Sequence, residues 1–168
     1  MLPKTFAMKD ENGKYWCLNE PDNHIHIEPH CNEDFKRRNH HVFQSIDHED
    51  NSNVPKGQCR IKTSNGLFLK LKKDQLEAVR KIVSAGDQYQ FVVNYIENQT
   101  VSIFSVAKSK FLKLEGHHAK AKADSYCGEP CHFIIEEINY SATEAGTKLY
   151  QRWRANGTVK ISFEIIFI

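Results

Sequence analysis

The tetrapeptide FLKL occurs twice in the chain, at residues 68–71 and again at residues 111–114. Extending both copies toward the N-terminus lays residues 59–71 over residues 102–114 without a gap, and residues 6–18 lie over both. Residue types agree at the aligned positions, which are apolar at Met8, Ile61 and Phe104 and aromatic at Tyr15, Phe68 and Phe111. A repeat of this length indicates one supersecondary unit per copy, so we predict three consecutive units.

The units also share a turn and a terminal strand. Gly13 and Gly66 align with Ser109, at a point where a tight turn needs glycine or a small residue. Each unit ends in a short apolar stretch that contains one phenylalanine, and these are Phe43, Phe91 and Phe133. The stretch that leads to this phenylalanine is longest in the first unit, so we predict an insertion there.

Each unit is predicted to form four short strands. In the third unit these are residues 101–106, 110–115, 119–123 and 132–138. Residues 119–123 alternate alanine with lysine, which is typical of a strand with one buried face. Residues 74–84 also have helical spacing, but their partners in the other units are strand-like, so we predict a strand there.

Three four-stranded units can close on themselves as a β-trefoil, an all-β fold in which three hairpins cap a six-stranded barrel. Closure removes the exposed edges of the sheet. Three units are too few for a propeller, which needs about four or more blades. We therefore predict a β-trefoil over residues 1–138, with repeats at about 5–53, 58–99 and 100–138.

Residues 139–168 remain, and they are predicted to form a C-terminal β-hairpin. Asn156-Gly157 is a good two-residue turn, and the last strand alternates Ile161, Phe163 and Ile165 before it becomes wholly apolar. An exposed apolar strand at the edge of a sheet pairs readily with other chains unless another part of the protein covers it. We expect the hairpin to pack on the trefoil or to lie at a subunit contact, where the last strand would join two chains as a dimer. The segment is also compatible with the start of a further domain in a longer chain.

The cellular location is predicted from the cysteines and the N-terminus. The chain has 168 residues and a formal net charge of +2, and its first residues contain no apolar run long enough for a signal peptide. Five irregularly spaced cysteines fit reduced thiols, so we expect a cytoplasmic protein. Three glycosylation sequons, at Asn98, Asn139 and Asn156, keep secretion open.

Lysines are the leading candidates for a binding surface. They follow the predicted hairpins of the second and third units, where repeat symmetry would bring some of them together: Lys70, Lys72, Lys73, Lys108, Lys110, Lys113, Lys120 and Lys122. A basic patch suits an acidic protein surface such as filamentous actin, an anionic lipid or a sulfated glycan. The charge is modest and no stacking-aromatic motif is present, so nucleic acid is not expected as a partner.

Histidines form a second group of candidates. Six of the nine lie within residues 24–48, and imidazole is the side chain that changes charge between pH 5 and 8. His24 and His26 alternate with isoleucines, so we expect both on one solvent-facing side of a strand. The candidates for a pH-sensitive surface are His24, His26, His30, His40 and His41. The alternative is a scatter of surface imidazoles without a function.

No catalytic group, metal site or cofactor is predicted. Cys127, Cys131 and His132, with His117 or His118, lack the spacing of common zinc sites. The chain has no phosphate loop, dinucleotide fingerprint or paired acidic motif, and no local signature supports a catalytic Cys–His pair. These absences favour a non-enzymatic binding protein.

The third unit resembles a known family. Residues 105–138, SVAKSKFLKLEGHHAKAKADSYCGEPCHFIIEEI, are similar to the fascin-like trefoil repeat in their GKYL-like turn and strand, their alternating strand and their Gly-Pro turn before F-I-E-like residues. The resemblance spans roughly residues 5–138. It implies an actin or cytoskeleton binder that uses basic hairpin loops.

Two other functions are compatible with the same pattern, which is also similar to the interleukin and fibroblast-growth-factor trefoils. Those families imply a ligand for a receptor or for heparin. A glycan-binding trefoil is the third hypothesis. The Gln-x-Trp pattern of ricin-type lectins occurs once, at residues 151–153, outside the three units, which counts against a lectin of that type.

Overall fold

Three consecutive units of four β-strands build the protein. The computed structural model describes residues 1–19, 24–27, 40–80, 86–126, 128 and 131–138. The first unit contains β1 (Thr5–Lys9), β2 (Trp16–Asn19), β3 (His24–Ile27) and β4 (Val42–Ile46). The second contains β5 (Arg60–Thr63), β6 (Phe68–Lys72), β7 (Gln75–Val79) and β8 (Phe91–Glu97). The third contains β9 (Thr100–Ser105), β10 (Lys110–Glu115), β11 (His118–Ala123) and β12 (Phe133–Glu137).

Six of these strands form a closed antiparallel barrel. β1 pairs with β4, β4 with β5, β8 with β9 and β9 with β12, and β12 returns to β1. The seam between β5 and β8 is closed by one residue pair, Cys59 and Phe91. Each of these two residues donates its main-chain N–H to the carbonyl oxygen of the other at 2.9 Å. The barrel is therefore complete, with its narrowest strand contact at this seam.

The other six strands form the hairpins β2–β3, β6–β7 and β10–β11. The second strands of these hairpins also pair with one another in a cyclic register, with His24 opposite Glu77, Gln75 opposite Lys120 and His118 opposite His26. The same offset recurs three times, so a pseudo-threefold axis passes between β3, β7 and β11. This is the barrel-and-hairpin arrangement that the sequence repeat predicts.

The barrel interior is filled by the phenylalanine of each unit's fourth strand. Phe43, Phe91 and Phe133 are each at most 1% exposed. The ring centroids of Phe133 and Trp16 lie 5.4 Å apart, and those of Phe43 and Phe6 lie 6.0 Å apart. The sequence predicted these phenylalanines in short terminal strands, and the structure places them there.

At the end of the first strand of each unit, or directly after it, a buried polar residue holds the following turn, and these residues are Asp10, Thr63 and Ser105. Asp10 Oδ1 accepts the main-chain N–H groups of Asn12 and Lys14, both at 2.9 Å. Thr63 Oγ1 accepts the N–H of Leu67 at 3.0 Å, and Ser105 Oγ accepts that of Lys108 at 3.3 Å. Each turn then reverses through a residue with positive φ, and these are Gly13, Gly66 and Ser109. The alignment of these three positions in the sequence is therefore confirmed.

The ungapped alignment of the third unit is wrong by one residue in its first strand. Strand register places Ile103, rather than Phe104, at the position equivalent to Met8 and Ile61. Ile103 is buried, whereas Phe104 is half-buried and packs edge-on against Phe111 at 5.2 Å. The cause is the length of the turn. Asp10 bonds to Lys14 and Thr63 bonds to Leu67, each four positions further along the chain. Ser105 pairs with Lys110, five positions further along, so the third turn is one residue longer.

The segment with mixed helical and strand spacing begins as a strand, as predicted. In β7, Leu76 and Ala78 are buried while Gln75 and Glu77 are half-buried, which is the two-residue period of a strand. Residues 81–84, at the end of this segment, lie outside the described residues. The predicted C-terminal hairpin and dimer strand, residues 139–168, also lie outside them. No helix in the described part of the chain is long and apolar enough to cross a membrane.

The cysteines differ from the expectation of five reduced thiols. Cys59 is a free, buried thiol, and Cys17 is also buried. Cys131 is disulfide-bonded, and its partner lies outside the described residues. Burial raises the pKa of the Cys59 thiol to about 12, so this thiol is not a nucleophile at neutral pH.

The linker after β4 is tied to the N-terminus by one carboxylate. Asp47 Oδ2 accepts Lys4 Nζ at 2.9 Å, and Asp47 Oδ1 accepts the main-chain N–H groups of Glu49 at 2.9 Å and Asp50 at 3.2 Å. The Lys4 ammonium, followed by these N–H groups, holds the pKa of Asp47 below its usual range. Asp47 therefore joins the first unit to the linker that leads into the second.

Asp47→Asn is expected to destabilise the protein at pH 7 and to matter less as the pH falls. The folded-state pKa of Asp47 is lowered, so its contribution is complete above the unfolded value of about 4 and is lost as the pH falls through the folded value. Urea unfolding midpoints of the variant and the wild type at pH 7, 4.5 and 3 measure this convergence. Glu49→Gln, an exposed carboxylate nearby, is the control. A midpoint difference that stays constant with pH would contradict the assignment.

Candidate functional site

An exposed aromatic and ionic cluster lies where the third unit meets the first. The His132 imidazole is held between two side chains, with its Nδ1 bonded to Glu11 Oε1 and its Nε2 bonded to the Tyr126 hydroxyl. Because the carboxylate accepts from Nδ1–H, Nε2 is left as the acceptor and the Tyr126 hydroxyl donates to it. We call Glu11, Tyr126 and His132 the junction cluster.

The junction cluster fixes an aromatic ring at the surface. Tyr126 stacks on His132 with ring centroids 5.5 Å apart and an interplanar angle of 21°. Tyr126 nevertheless remains 42% exposed, and the Glu11 side chain is 37% exposed. A carboxylate has about four acceptor positions. The cluster therefore presents an immobilised ring beside a carboxylate that can still accept hydrogen bonds.

Pseudo-symmetry explains why Glu11 meets His132. In each unit, the residue directly after the buried polar residue of the turn contacts the start of the fourth strand of the preceding unit. Ser64 N donates to Val42 O at 3.1 Å, and Val106 N donates to Gln90 O at 3.2 Å. Glu11 occupies the equivalent position in the first unit. Among the described residues, only this junction combines a carboxylate, an imidazole and an exposed ring.

A second polar group follows the same seam between β1 and β12. Lys9 forms an ion pair with Glu136, which raises the pKa of Lys9. The Tyr15 hydroxyl also contacts the Glu136 carboxylate, at 3.3 and 3.4 Å. Lys9 Nζ lies 5.0 Å from the centre of the Tyr15 ring, whose edge meets His41 at 5.1 Å. This side of the barrel is therefore lined with aromatic and charged groups.

The predicted lysine patch is partly neutralised by neighbouring carboxylates. Lys110 pairs with Asp124. Lys120 Nζ and Lys122 Nζ lie 3.4 and 3.3 Å from the same oxygen of Glu115. The Glu115 contact raises the pKa of Lys122, and Lys122 in turn lowers the pKa of Glu115. These three lysines therefore offer less positive charge to a partner than unpaired lysines would.

The remaining predicted lysines are spread over two hairpins and a turn. Lys72, Lys73 and Lys108 are exposed, whereas Lys70 and Lys113 are half-buried. Lys70 Nζ lies 6.0 Å from the centre of the Tyr89 ring. Within the described residues, no carboxylate forms an ion pair with any of these five lysines. Binding of an acidic protein surface, an anionic lipid or a sulfated glycan by this patch stays a prediction.

The predicted histidines do not share one solvent-facing surface. His40 is buried, and its carbonyl oxygen accepts the N–H of Leu18 at 3.0 Å. His41 is half-buried against Tyr15, and His24 is half-buried on the pseudo-threefold axis. His26 lies in β3, and His30 lies outside the described residues. Their role in pH sensing stays a prediction.

A cavity of about 410 Å³ lies beside the β5–β8 seam. Its lining includes Leu2, His48, Lys56, Cys59 and Val93. The volume is in the range of small-molecule sites. His48 Nδ1 is already bonded to Val54 O at 2.8 Å, and the Cys59 thiol stays protonated, so this cavity offers packing surface rather than reactive groups.

Solved structures with the same fold are detected, although no family model matches the chain and no curated protein matches its sequence. SeviL, a lectin whose structure was solved bound to the asialo-GM1 saccharide, superposes with a TM-score of 0.62 at 13% identity. The match covers 82% of this chain and 99% of SeviL. The designed threefold symmetric protein ThreeFoil superposes with a TM-score of 0.61 at 11% identity, covering 80% of this chain and 99% of ThreeFoil. The chain has the β-trefoil fold. At these identities the likeness extends to the fold alone, and the fascin-like resemblance stays a prediction.

Sequence reasoning about this β-trefoil missed the junction cluster. Glu11, Tyr126 and His132 belong to two units that are remote in sequence, and none of them lies in a motif. The sequence offers His132 only as a metal-ligand candidate beside Cys131. The available signal was the barrel closure itself, because a three-unit fold must bring the end of the third unit against the first turn.

Proposed function

We propose that this β-trefoil is a non-enzymatic glycan-binding protein whose site is the junction cluster. The observation that carries the proposal is the exposed, immobilised Tyr126 ring beside the Glu11 carboxylate. A sugar ring has an apolar face of C–H groups, which packs on an aromatic face, and a rim of hydroxyl groups, which donate to carboxylates. The junction cluster offers both kinds of surface within one small area.

The role of His132 in this proposal is to orient the other two groups. Its imidazole bonds to the Glu11 carboxylate and to the Tyr126 hydroxyl, so both of its nitrogens are occupied. Two side chains are thereby fixed before a ligand arrives, which reduces the rotamer entropy lost on binding, about 0.5–1.5 kcal/mol per immobilised side chain. A preorganised site of this kind suits shallow, weak recognition of saccharides.

Two further observations support a glycan-binding protein. SeviL, which has the same fold, was solved with the asialo-GM1 saccharide bound. The disulfide at Cys131 and the exposed sequon residue Asn98 are typical of proteins in oxidising compartments, where glycans are displayed. Secretion therefore becomes part of the proposal, in place of the cytoplasmic location that the cysteine count favoured.

The test is a glycan array followed by calorimetric titration of the best saccharide, with the asialo-GM1 saccharide included as a probe. Tyr126→Ala is expected to weaken binding about tenfold or more, because it removes the stacking surface, equivalent to about 1.4 kcal/mol. Glu11→Gln is expected to weaken binding while the fold is retained. One saccharide should bind per chain, since the described residues contain one such junction.

Tyr95→Ala is the matched control, because Tyr95 is also an exposed tyrosine, 43% exposed, on the distant strand β8. Equal losses for Tyr95→Ala and Tyr126→Ala would contradict the junction cluster as the site. If no glycan binds, the proposed function is wrong. Co-sedimentation with filamentous actin at two salt concentrations, and heparin binding, then test the other two hypotheses.

A further inference from the structure

The pseudo-threefold axis brings two imidazoles and one amide together. Gln75 Nε2 lies 2.9 Å from His118 Nδ1 and 3.4 Å from His24 Nδ1. All three side chains are half-buried. An amide nitrogen only donates, so both Nδ1 atoms must be unprotonated to accept from it. Two nitrogen lone pairs therefore converge on one point at the axis.

This convergence follows from the repeat. His24, Gln75 and His118 are the first residues of β3, β7 and β11, the strands that pair cyclically around the axis. They also occupy the same hairpin position, opposite Asn19, Lys72 and Glu115 respectively. Three equivalent positions on an axis must meet, and here two of the three carry imidazole. The backbone register places a further histidine, His26, directly opposite His118.

We propose that the axis binds a divalent transition-metal ion such as Zn²⁺, Ni²⁺ or Cu²⁺ through His24 Nδ1 and His118 Nδ1. Neutral imidazole nitrogens are preferred ligands of these ions. Gln75 supplies its amide oxygen as a third ligand when the amide rotates, and water completes the coordination. The described side chains contain no metal-holding group of three or more His, Cys, Asp or Glu, and the axis site differs because its third member is an amide.

The neighbouring charges set the conditions for binding. Glu77 lies opposite His24 in the register, and Lys120 lies opposite Gln75. The adjoining turns add Asp74 before Gln75 and the exposed His117 before His118. Glu115 and Lys72 lie opposite His118 and Gln75 across their hairpins, and Lys122 Nζ lies 3.7 Å from Asp74, so three carboxylates are balanced by three ammoniums. Binding therefore depends on the imidazole nitrogens rather than on a net negative charge.

The decisive experiment is calorimetric titration of the full chain with ZnCl₂, repeated with NiCl₂, together with thermal unfolding in the presence of each metal. His24→Gln and His118→Gln each introduce glutamine, which the second unit already carries at the equivalent position as Gln75. Both variants should therefore fold. Each is expected to weaken Zn²⁺ binding about tenfold or more. Gln75→His completes a three-imidazole set and is expected to tighten binding about tenfold or more.

His117→Gln is the control, because His117 is the adjacent residue but is exposed on the hairpin turn. Its Zn²⁺ affinity should stay within about twofold of the wild type, a change below 0.5 kcal/mol. The proposal is overturned if the wild type shows no saturable binding at millimolar Zn²⁺ and Gln75→His gains none. It is also overturned if His117→Gln costs as much affinity as His118→Gln. Tyr126→Ala should leave Zn²⁺ binding unchanged, so this inference and the proposed glycan site can fail independently.

Discussion

Replacing Phe91 with alanine is expected to lower the free energy of unfolding by about 4 kcal/mol, within the range for buried phenylalanines. Phe91 is 1% exposed and lies in the barrel interior. Its main chain also makes the pair with Cys59 that closes the β5–β8 seam. Loss of the ring leaves a cavity beside the narrowest strand contact of the barrel, where few neighbouring hydrogen bonds resist rearrangement. Urea unfolding followed by tryptophan fluorescence and circular dichroism measures the loss.

Two controls separate burial from ring size in this experiment. Phe104→Ala removes the same side chain from a half-buried position against Phe111 and should cost less than half as much. Phe91→Leu retains most of the apolar volume and should cost about 1.5 kcal/mol or less. It also keeps the comparison possible if Phe91→Ala does not fold. Equal losses for Phe91→Ala and Phe104→Ala would show that the assigned barrel interior is incorrect.

Asp10→Ala is expected to destabilise the protein by about 2 kcal/mol, because it removes the buried acceptor of two main-chain N–H groups of the turn. Asp10 is 6% exposed, and its Oδ1 accepts two N–H groups of the turn. Asp10→Asn keeps an acceptor oxygen in place and should recover more than half of the loss. Urea unfolding midpoints at pH 7 measure both variants.

Ser105→Ala provides an internal comparison at the equivalent position of the third unit. Ser105 accepts one turn N–H, at the longer distance of 3.3 Å, so its loss should cost about half as much as that of Asp10. A larger effect for Ser105→Ala than for Asp10→Ala would contradict the view that the number of hydrogen bonds decides how strongly each residue stabilises its turn.

The features predicted from the sequence are those that each unit specifies locally. Gly13 and Gly66 each predict a turn with positive φ, which the structure has. The phenylalanine near the end of each unit predicts a strand with a buried inner face, and it is buried in all three units. Period-two alternation placed β11 within one residue of its observed start. The sequence alignment placed Phe104, in place of Ile103, at the buried position because the third turn has one extra residue. A shift of one residue exchanges the inward and outward positions of a strand without changing its composition.

The features missed from the sequence depend on contacts between units. Glu11 and His132 meet only because the barrel closes, and the pairing of Lys122 with Glu115 depends on the spacing of two hairpin strands. The number of lysines in a segment therefore does not say which of them are paired with carboxylates. The disulfide at Cys131 was missed because cysteine spacing indicated no framework. The histidine pair on the axis was missed because only the cyclic register of β3, β7 and β11 brings it together.

Under the proposed glycan-binding function, the difference between the three unit junctions sets how many saccharides one chain can hold. A trefoil with three equal sites is multivalent, so one chain can crosslink two cells or gain avidity on a single membrane. Here Ser64 and Val106 occupy the positions equivalent to Glu11, and neither carries a charge. Within the described residues the proposed site therefore occurs at one junction. A single copy would coat a surface rather than agglutinate particles, and agglutination would need a second chain.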